Sequence, residues 1–137
     1  MPMMPAATKA AGTYFAIPDV CLTPAPPAPP VPIPYPNLAQ VASTNGAVDK
    51  VLVQNKEMVV EGSKVPNSSG DEAGTNGGVV SGVNKGPVEP KVFSSKVFAK
   101  GKKVVYLTAT TAHNGSNANM PAGAHLVPSQ AKVLVGM

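Results

Sequence analysis

The chain has 137 residues, the usual length of one domain, and its net charge of +4 combines eleven lysines with seven acidic residues and no arginine. Only Lys100, Lys102 and Lys103 cluster, so the chain lacks the dense basic stripe with interleaved aromatics or arginines that is typical of nucleic-acid binding. Its 16 prolines and 13 glycines approach the level of a disordered chain. However, charges are sparse and the apolar residues are rich in valine, which favours a compact all-β protein with many turns.

Cysteine usage, the length of the apolar runs and the N-terminus argue against three further classes of protein. A single cysteine, Cys21, excludes an internal disulfide framework. No apolar run approaches the roughly 18 residues of a membrane span. The first 17 residues contain two early prolines, one lysine and no continuous apolar core, which makes a poor secretory signal. We therefore expect no standard signal peptide.

The N-terminal part of the chain combines one short strand with a proline-rich stretch. Residues 1–12 are expected to be flexible, and residues 13–17 predict a strand. Residues 18–36 hold nine prolines. Because proline fixes φ and removes a hydrogen-bond donor, polyproline II is expected there and a central strand is not. A linker, or a ligand for the aromatic groove of an SH3-type domain, is the alternative. Three side chains that alternate with the prolines are expected to pack on the rest of the domain: Val31, Ile33 and Tyr35.

Two β-hairpins are predicted in the middle of the chain. Residues 50–60 form two valine-rich runs around a polar centre that contains Asn55. Residues 96–105 have the same form, with Gly101 in the turn. No helical period of useful length is present.

The two predicted hairpins are related to each other by a shift of 46 positions. A third partial copy closes the chain, because residues 132–135 repeat residues 50–53 letter for letter. This third unit lacks its own return strand, which residues 14–17 would supply. Three related units predict a pseudo-threefold object.

A glycine-rich segment, residues 67–86, lies between the two hairpins. Six glycines in these twenty residues predict a series of tight turns. The order Lys85-Gly86-Pro87 is wrong for a phosphate-binding loop, which needs Gly-Lys-Ser/Thr at the start of a helix. Partial burial of the segment is expected through its three valines, Val79, Val80 and Val83.

Several stretches together resemble one family. They are residues 18–24, 31–37 and 70–86, supported by residues 111–114 and 127–133. In this order and spacing, the chain resembles the PAAR-like proteins of bacterial type VI secretion and related contractile injection systems over roughly residues 15–135. The tetrapeptide that names the family is present only as Pro5-Ala6-Ala7-Thr8, without its arginine.

The resemblance implies a fold, a partner and a role. PAAR-like proteins form a small cone of β-hairpins with approximate threefold symmetry, whose wide base caps the trimeric VgrG-type spike. We therefore expect one domain over residues 1–137, without a fused toxin domain, that caps one spike trimer and sharpens it for membrane puncture. An effector or toxin cargo is a further expected partner, and nucleic acid is not. Such a protein would assemble in the bacterial cytoplasm and then leave the cell, or enter the target, on the spike. The valines of the repeated units are expected to bind the spike: Val51, Val53, Val97, Val133 and Val135.

The resemblance also implies a zinc ion near the apex, held by histidine and cysteine side chains. The three soft ligands in this chain are Cys21, His113 and His125. One thiolate and two imidazoles suit Zn²⁺, which prefers four ligands in a tetrahedron. The fourth ligand is left open between Asp19, Asp71, water and a third histidine that this sequence lacks. A small buried cysteine and two loop histidines without metal are the alternative.

No catalytic constellation is predicted, and we expect a protein that is not an enzyme. Asp71 and Glu72 are adjacent, and neighbouring side chains of an extended chain point to opposite faces. A Cys21–His113 dyad would suit a small thiol enzyme, which is the remaining alternative, but no local signature of a thiol protease surrounds Cys21.

Overall fold

The computed structural model describes residues 3–136, and regular structure in this part is almost entirely β. The predicted all-β fold is therefore confirmed. One short 3₁₀ turn, Val41–Ser43, is the helical element among these residues. No helix in the described part has the length and apolar character needed to cross a bilayer. The strands are β1 (Met3–Pro5), β2 (Thr13–Ala25), β3 (Ala28–Gln40), β4 (Val48–Val53), β5 (Lys56–Met58), β6 (Glu89–Pro90), β7 (Phe98–Ala99), β8 (Lys102–Lys103), β9 (Thr110–His113), β10 (Met120–Val127) and β11 (Leu134–Gly136).

The strands form one larger sheet and three two-stranded ribbons, all antiparallel in pairing. The sheet has the order β3-β2-β10-β9-β6. The ribbons are β4 with β5, β7 with β8, and β1 with β11. Below, these three ribbons are called the first, second and third ribbon. The two predicted hairpins are the first two ribbons. Their turns contain Gln54 and Asn55 (φ 51 and 65°) and Lys100 and Gly101 (φ 52 and 77°). Two successive left-handed residues are what a two-residue type I′ hairpin turn requires.

A closed ring of three backbone hydrogen bonds marks a pseudo-threefold axis. Ala7 donates its N–H to the carbonyl of Val105 (2.8 Å), Val105 donates to Val59 (3.0 Å), and Val59 donates to Ala7 (2.9 Å). All three residues are completely buried. The segments that follow β5, β8 and β1 therefore contact one another in the same way, which agrees with the predicted pseudo-threefold arrangement.

A second set of three bonds joins the same three units with the donor and acceptor units exchanged. In each bond, the residue two positions after one ring member donates to the residue two positions before the ring member from which that one accepts. The bonds run from Lys9 to Glu57 (3.0 Å), from Glu61 to Lys103 (2.8 Å) and from Leu107 to Pro5 (2.8 Å). Six equivalent backbone bonds thus join three units of one chain around a common axis.

The third ribbon corrects two expectations about the N-terminus. Its return strand is β1 and not the strand at residues 14–17, which instead lies in the five-stranded sheet. Ala6, Ala7 and Thr8 are completely buried, so the expected flexibility of residues 1–12 is wrong for this part. The physical reason is that the ring needs a third donor, which Ala7 supplies. Met1 and Pro2 lie outside the described residues.

The core is built mainly from valine. β-branched side chains are stiff and pack well on pleated surfaces, so they fill the space between short ribbons without large aromatics. One aromatic, Tyr14, is completely buried within the same cluster. Seven valines are at most 1% exposed: Val41, Val59, Val60, Val65, Val88, Val104 and Val105.

The proline-rich stretch forms strands, which corrects the expectation of unpaired polyproline II. β2 and β3 pair along their length, for example Asp19 with Tyr35 and Cys21 with Ile33. Most of the prolines lie on β3, which is the edge strand of the sheet. The outer side of an edge strand needs no hydrogen-bond donors, so prolines are tolerated there. Because the backbone is paired, a free ligand for an aromatic groove is also disfavoured.

Side-chain burial in two segments differs from expectation. Val31 and Ile33 are 42% and 37% exposed, whereas Tyr35 is half-buried and its hydroxyl lies 2.7 Å from Thr23 Oγ1. Packing was therefore predicted correctly for Tyr35 alone. The glycine-rich segment does form turns, but its valines, Val79, Val80 and Val83, are exposed because backbone hydrogen bonds hold the segment in place.

Candidate functional site

The three ribbons present large apolar side chains to solvent at one equivalent position. Leu52 and Phe98 are both 53% exposed, and Leu134 is 46% exposed. Leu52 and Phe98 are related by the shift of 46 positions, and Leu134 occupies the matching place in the third copy. An apolar residue exposed once is ordinary, but the same exposure at three symmetry-related places indicates a surface that contacts a partner. We call these three residues the apolar triad.

The valines expected to bind the spike lie beside the triad but mostly face the core. Val53 and Val135 are buried, and Val51 and Val97 pack against the core cluster. Val133 alone among the five is exposed. Successive side chains of a strand point to opposite faces, so the outward positions are those of the apolar triad.

A second site lies in the larger sheet, where Asp19 and Cys21 of β2 meet Asp71 of the glycine-rich segment. All three residues are completely buried. The Cys21 Sγ lies 3.7 Å from Asp19 Oδ1 and 3.8 Å from Asp71 Oδ2. Asp19 and Cys21 are two positions apart on a strand, which puts both side chains on one face. We call this group the Asp–Cys–Asp cluster.

Three asparagine side chains donate hydrogen bonds to Asp19. Asn37 reaches Oδ2 at 3.1 Å and Asn114 reaches Oδ1 at 3.1 Å, and Asn119 also donates to Oδ1. The orientation of two amides is set by backbone donors, because Asn114 Oδ1 accepts from the N–H of Gly86 (2.9 Å). Asn119 Oδ1 likewise accepts from the N–H of Val80 (2.8 Å).

Asp71 is held by the backbone of its own segment. It accepts a hydrogen bond from the N–H of Lys85 at 3.0 Å. Together with the asparagine bonds, this contact joins both strands of the β2–β3 pair, the glycine-rich segment and residues 114–119. The cluster therefore organises the part of the fold that has few apolar contacts.

Burial sets the protonation of the cluster. Desolvation, followed by the charges of Asp19 and Asp71, raises the pKa of Cys21 to about 12. Desolvation and the neighbouring Asp19 raise the pKa of Asp71 to about 7. Without a cation the thiol is therefore protonated at neutral pH, which is unfavourable for a cysteine nucleophile.

The two histidines lie apart from this thiol. His113 Nδ1 is 2.7 Å from Asn37 Oδ1 and its Nε2 is 2.7 Å from Thr111 Oγ1. Burial lowers the pKa of His113 to about 4, so the ring is neutral. His125 packs edge-on against Tyr14, with ring centres 5.1 Å apart. Neither ring contacts Cys21 in these arrangements, which also disfavours the thiol-enzyme alternative.

The donor set of the Asp–Cys–Asp cluster fits a metal ion. One ligand atom of each residue lies within 4.8 Å of the other two. In a tetrahedral zinc site, with Zn–S of about 2.3 Å and Zn–O of about 2.0 Å, sulfur and oxygen are about 3.5 Å apart. The distances of 3.7 and 3.8 Å need only a small contraction.

The expected zinc ligands are only partly brought together. Cys21 lies in the cluster, whereas the described residues that could share a metal with it are Asp19 and Asp71 and not His113 or His125. Asp19 and Asp71 were open as a fourth ligand from the sequence. The asparagines that surround them were not predicted, because an isolated asparagine in a loop has no local signature.

Comparison with known proteins agrees with this fold. A family model described as a toxin PAAR-like domain matches residues 12–121. The chain is also similar to the DNase toxin Tse7 of Pseudomonas aeruginosa, with 36% identity over 120 residues that cover 82% of this chain and 30% of that relative. The chain thus spans less than a third of the relative's length. No solved structure gives a significant match. Since the family model covers most of the sequence, the chain belongs to the toxin PAAR-like domain family.

Proposed function

We propose that this protein is the tip of a contractile injection machine and caps a trimeric VgrG-type spike through its three ribbons. The single observation that carries the proposal is the hydrogen-bonded ring of Ala7, Val59 and Val105. It gives one polypeptide the symmetry of a trimer. The protein would assemble on the spike in the bacterial cytoplasm and leave the cell with it.

Symmetry explains why such a ring is useful to a cap. The end of a trimer presents three identical surfaces. In a closed assembly, identical surfaces normally make identical contacts. A single chain meets this requirement only if it repeats its own contacts three times. The two sets of equivalent backbone bonds show that this chain does so.

The apolar triad supplies a driving force for docking. Leu52, Phe98 and Leu134 each expose about half of their surface. Full burial of one such side chain contributes roughly 1.5–3 kcal/mol relative to full exposure, so half-exposed residues contribute less individually but act together. Transient contact with the target membrane would then be made by another part of the fold.

Delivery of an effector is part of the same proposal. The similar protein is named as a DNase toxin, and this chain covers 30% of it. We assign to the matched region the role of docking on the spike, and not the cutting of DNA. The domain described here is structural, a reading supported by the protonated thiol and the neutral, hydrogen-bonded His113.

A zinc ion would be held by Asp19, Cys21 and Asp71. When bound, zinc supplies positive charge to a buried group of acids and links β2 to the glycine-rich segment. The residues of the chain do the rest: the asparagines orient Asp19, and the N–H of Lys85 orients Asp71. Such a link suits a small domain with few large apolar side chains.

The docking proposal is tested by mixing purified protein with a VgrG-type trimer. We expect one copy per trimer, measured by mass photometry or analytical ultracentrifugation. Simultaneous replacement of Leu52, Phe98 and Leu134 by serine should abolish the complex. Replacement of the exposed Val79, Val80 and Val83 by serine is the matched control and should leave it intact. A homotrimer of this protein, or three copies on one spike, would contradict the cap model.

A further inference from the structure

We infer that the spike end that this protein recognises is acidic, with a negative group from each of its three chains around an apolar centre. The inference rests on the proposed function and specifies the chemistry of the partner. It is based on a threefold set of lysines and on the distribution of charge between the ribbons and the rest of the domain.

A lysine stands two positions before each member of the apolar triad. Lys50 precedes Leu52, Lys96 precedes Phe98 and Lys132 precedes Leu134. The three lysines are exposed. Lys50 lies with Leu52 in β4, and residues two positions apart along a strand point to the same face. Lys96 and Lys132 lie in the bends that lead into β7 and β11. Each ribbon therefore carries one exposed lysine two positions before its exposed large apolar residue.

Charge is distributed unevenly over the chain. Seven of the eleven lysines lie within residues 48–58, 96–103 and 132–136, together with only two acidic residues, Asp49 and Glu57. The remainder of the chain has four lysines and five acidic residues. The ion pair Lys91–Glu89 lies in that remainder. The ribbons are thus strongly positive, and the rest of the domain is close to neutral.

Other anions fit this pattern less well. A nucleic-acid surface normally combines lysine with arginine and several stacking aromatics. This face has Phe98 as its aromatic member, and the chain has no arginine. An anionic membrane would be served by any cluster of lysines and does not require threefold placement. A trimeric protein end with one acidic group per chain requires that placement.

Charges at the rim of an interface act mainly on the rate of association. Complementary charges steer encounter and raise the association rate by one to three orders of magnitude at low salt. Exposed pairs contribute little to affinity once the complex has formed. We therefore expect the three lysines to control the association rate and its salt dependence, and the apolar triad to control the lifetime of the complex.

The experiment compares two triple variants in stopped-flow or surface-plasmon association with a purified VgrG-type trimer. The first variant is Lys50→Gln with Lys96→Gln and Lys132→Gln. The control is Lys64→Gln with Lys85→Gln and Lys91→Gln, three exposed lysines outside the ribbons. At an ionic strength of about 0.05 M, the first variant should associate about tenfold more slowly than wild type, and the control within about twofold. The difference should disappear near 0.5 M, where the Debye length is only about 4 Å.

The outcomes separate this inference from the proposed function. If the first variant associates as fast as wild type at low salt, the acidic partner is wrong, although the cap model stands. If wild type does not bind the trimer at all, both fail. Binding to duplex DNA and to vesicles containing phosphatidylserine is measured in parallel. In one outcome, the first variant loses binding to DNA or to the vesicles while it associates with the spike as fast as wild type. That result would overturn the inference and identify DNA or the anionic membrane as the partner of the three lysines.

Discussion

Val105 donates its backbone N–H to the carbonyl of Val59 at 3.0 Å, and these two residues occupy the same position in two copies of one hairpin. Ala7 closes the ring between them. Because every member is both donor and acceptor, removing one donor takes away one of the two backbone bonds that join two of the three units.

Replacing Val105 with proline tests the ring. Proline removes the N–H that reaches Val59 and leaves its buried carbonyl without this donor, so we expect a loss of about 1–3 kcal/mol beyond the effect of Val105→Ala. The alanine variant retains the backbone donor and measures only the cavity, which should cost about 1–3 kcal/mol. Urea unfolding of both variants gives the comparison. Equal stability of the two variants would show that the ring contributes nothing.

Gly74 is required by the close approach of two chain segments. A Cβ at this position would overlap the Cβ of Cys21 and touch the ring of Tyr35. We expect Gly74→Ala to destabilise the domain by about 1–3 kcal/mol, because the core around the cluster must shift. Gly136→Ala is the matched control, since its Cβ would have one ordinary neighbour, Lys96, at 3.7 Å. Differential scanning calorimetry should show a lower midpoint for Gly74→Ala, and an unchanged midpoint would argue against this packing.

Metal analysis distinguishes the two proposed ligand sets. With zinc held by the Asp–Cys–Asp cluster, protein purified without added metal should contain near-stoichiometric zinc. Cys21→Ser and Asp71→Asn should lose the zinc and melt at a lower temperature. His125→Gln should keep zinc, because His125 packs against Tyr14. Loss of zinc in His125→Gln would instead support the set of Cys21, His113 and His125. Wild-type protein that lacks zinc and is unaffected by a chelator would exclude a structural metal.

Acid should destabilise the metal-free protein through its buried histidines. Burial lowers the pKa of His113 to about 4 from its ordinary value of 6.5, and it also lowers the pKa of His125. Between these values the unfolded chain binds protons that the folded chain does not, so stability is lost as pH falls below 6.5. We expect the free energy of unfolding to decrease by roughly 1–3 kcal/mol between about pH 7 and pH 4.5.

Asp71 opposes this trend, because its raised pKa means that the folded chain holds a proton which the unfolded chain releases. Its contribution is present at low pH and is lost as pH rises towards 7. Urea titrations at several pH values measure the balance. A protein that becomes more stable on acidification would show that Asp71 outweighs both histidines.

The hairpin turns and the repeated units could be predicted from the sequence alone. Asn55 and Gly101 predicted their turns because a type I′ turn requires left-handed residues whatever the rest of the fold does. The shift of 46 positions predicted equivalent units, since repeated valine patterns bury equivalent faces. Family membership and the all-β class followed from such features.

Only the tertiary structure decided the contacts between segments distant in the chain. Cys21 and Asp71 are 50 positions apart, and their meeting depends on the path of the glycine-rich segment across β2. The return strand of the third ribbon is Met3–Pro5 because Ala7 must complete the ring, which no local pattern shows. The prolines of β3 are tolerated because that strand lies at an edge, and edge position is a property of the assembled sheet. The sequence determines which residues lack a backbone N–H and which backbone groups need a hydrogen-bond partner. The folded chain determines which groups become those partners.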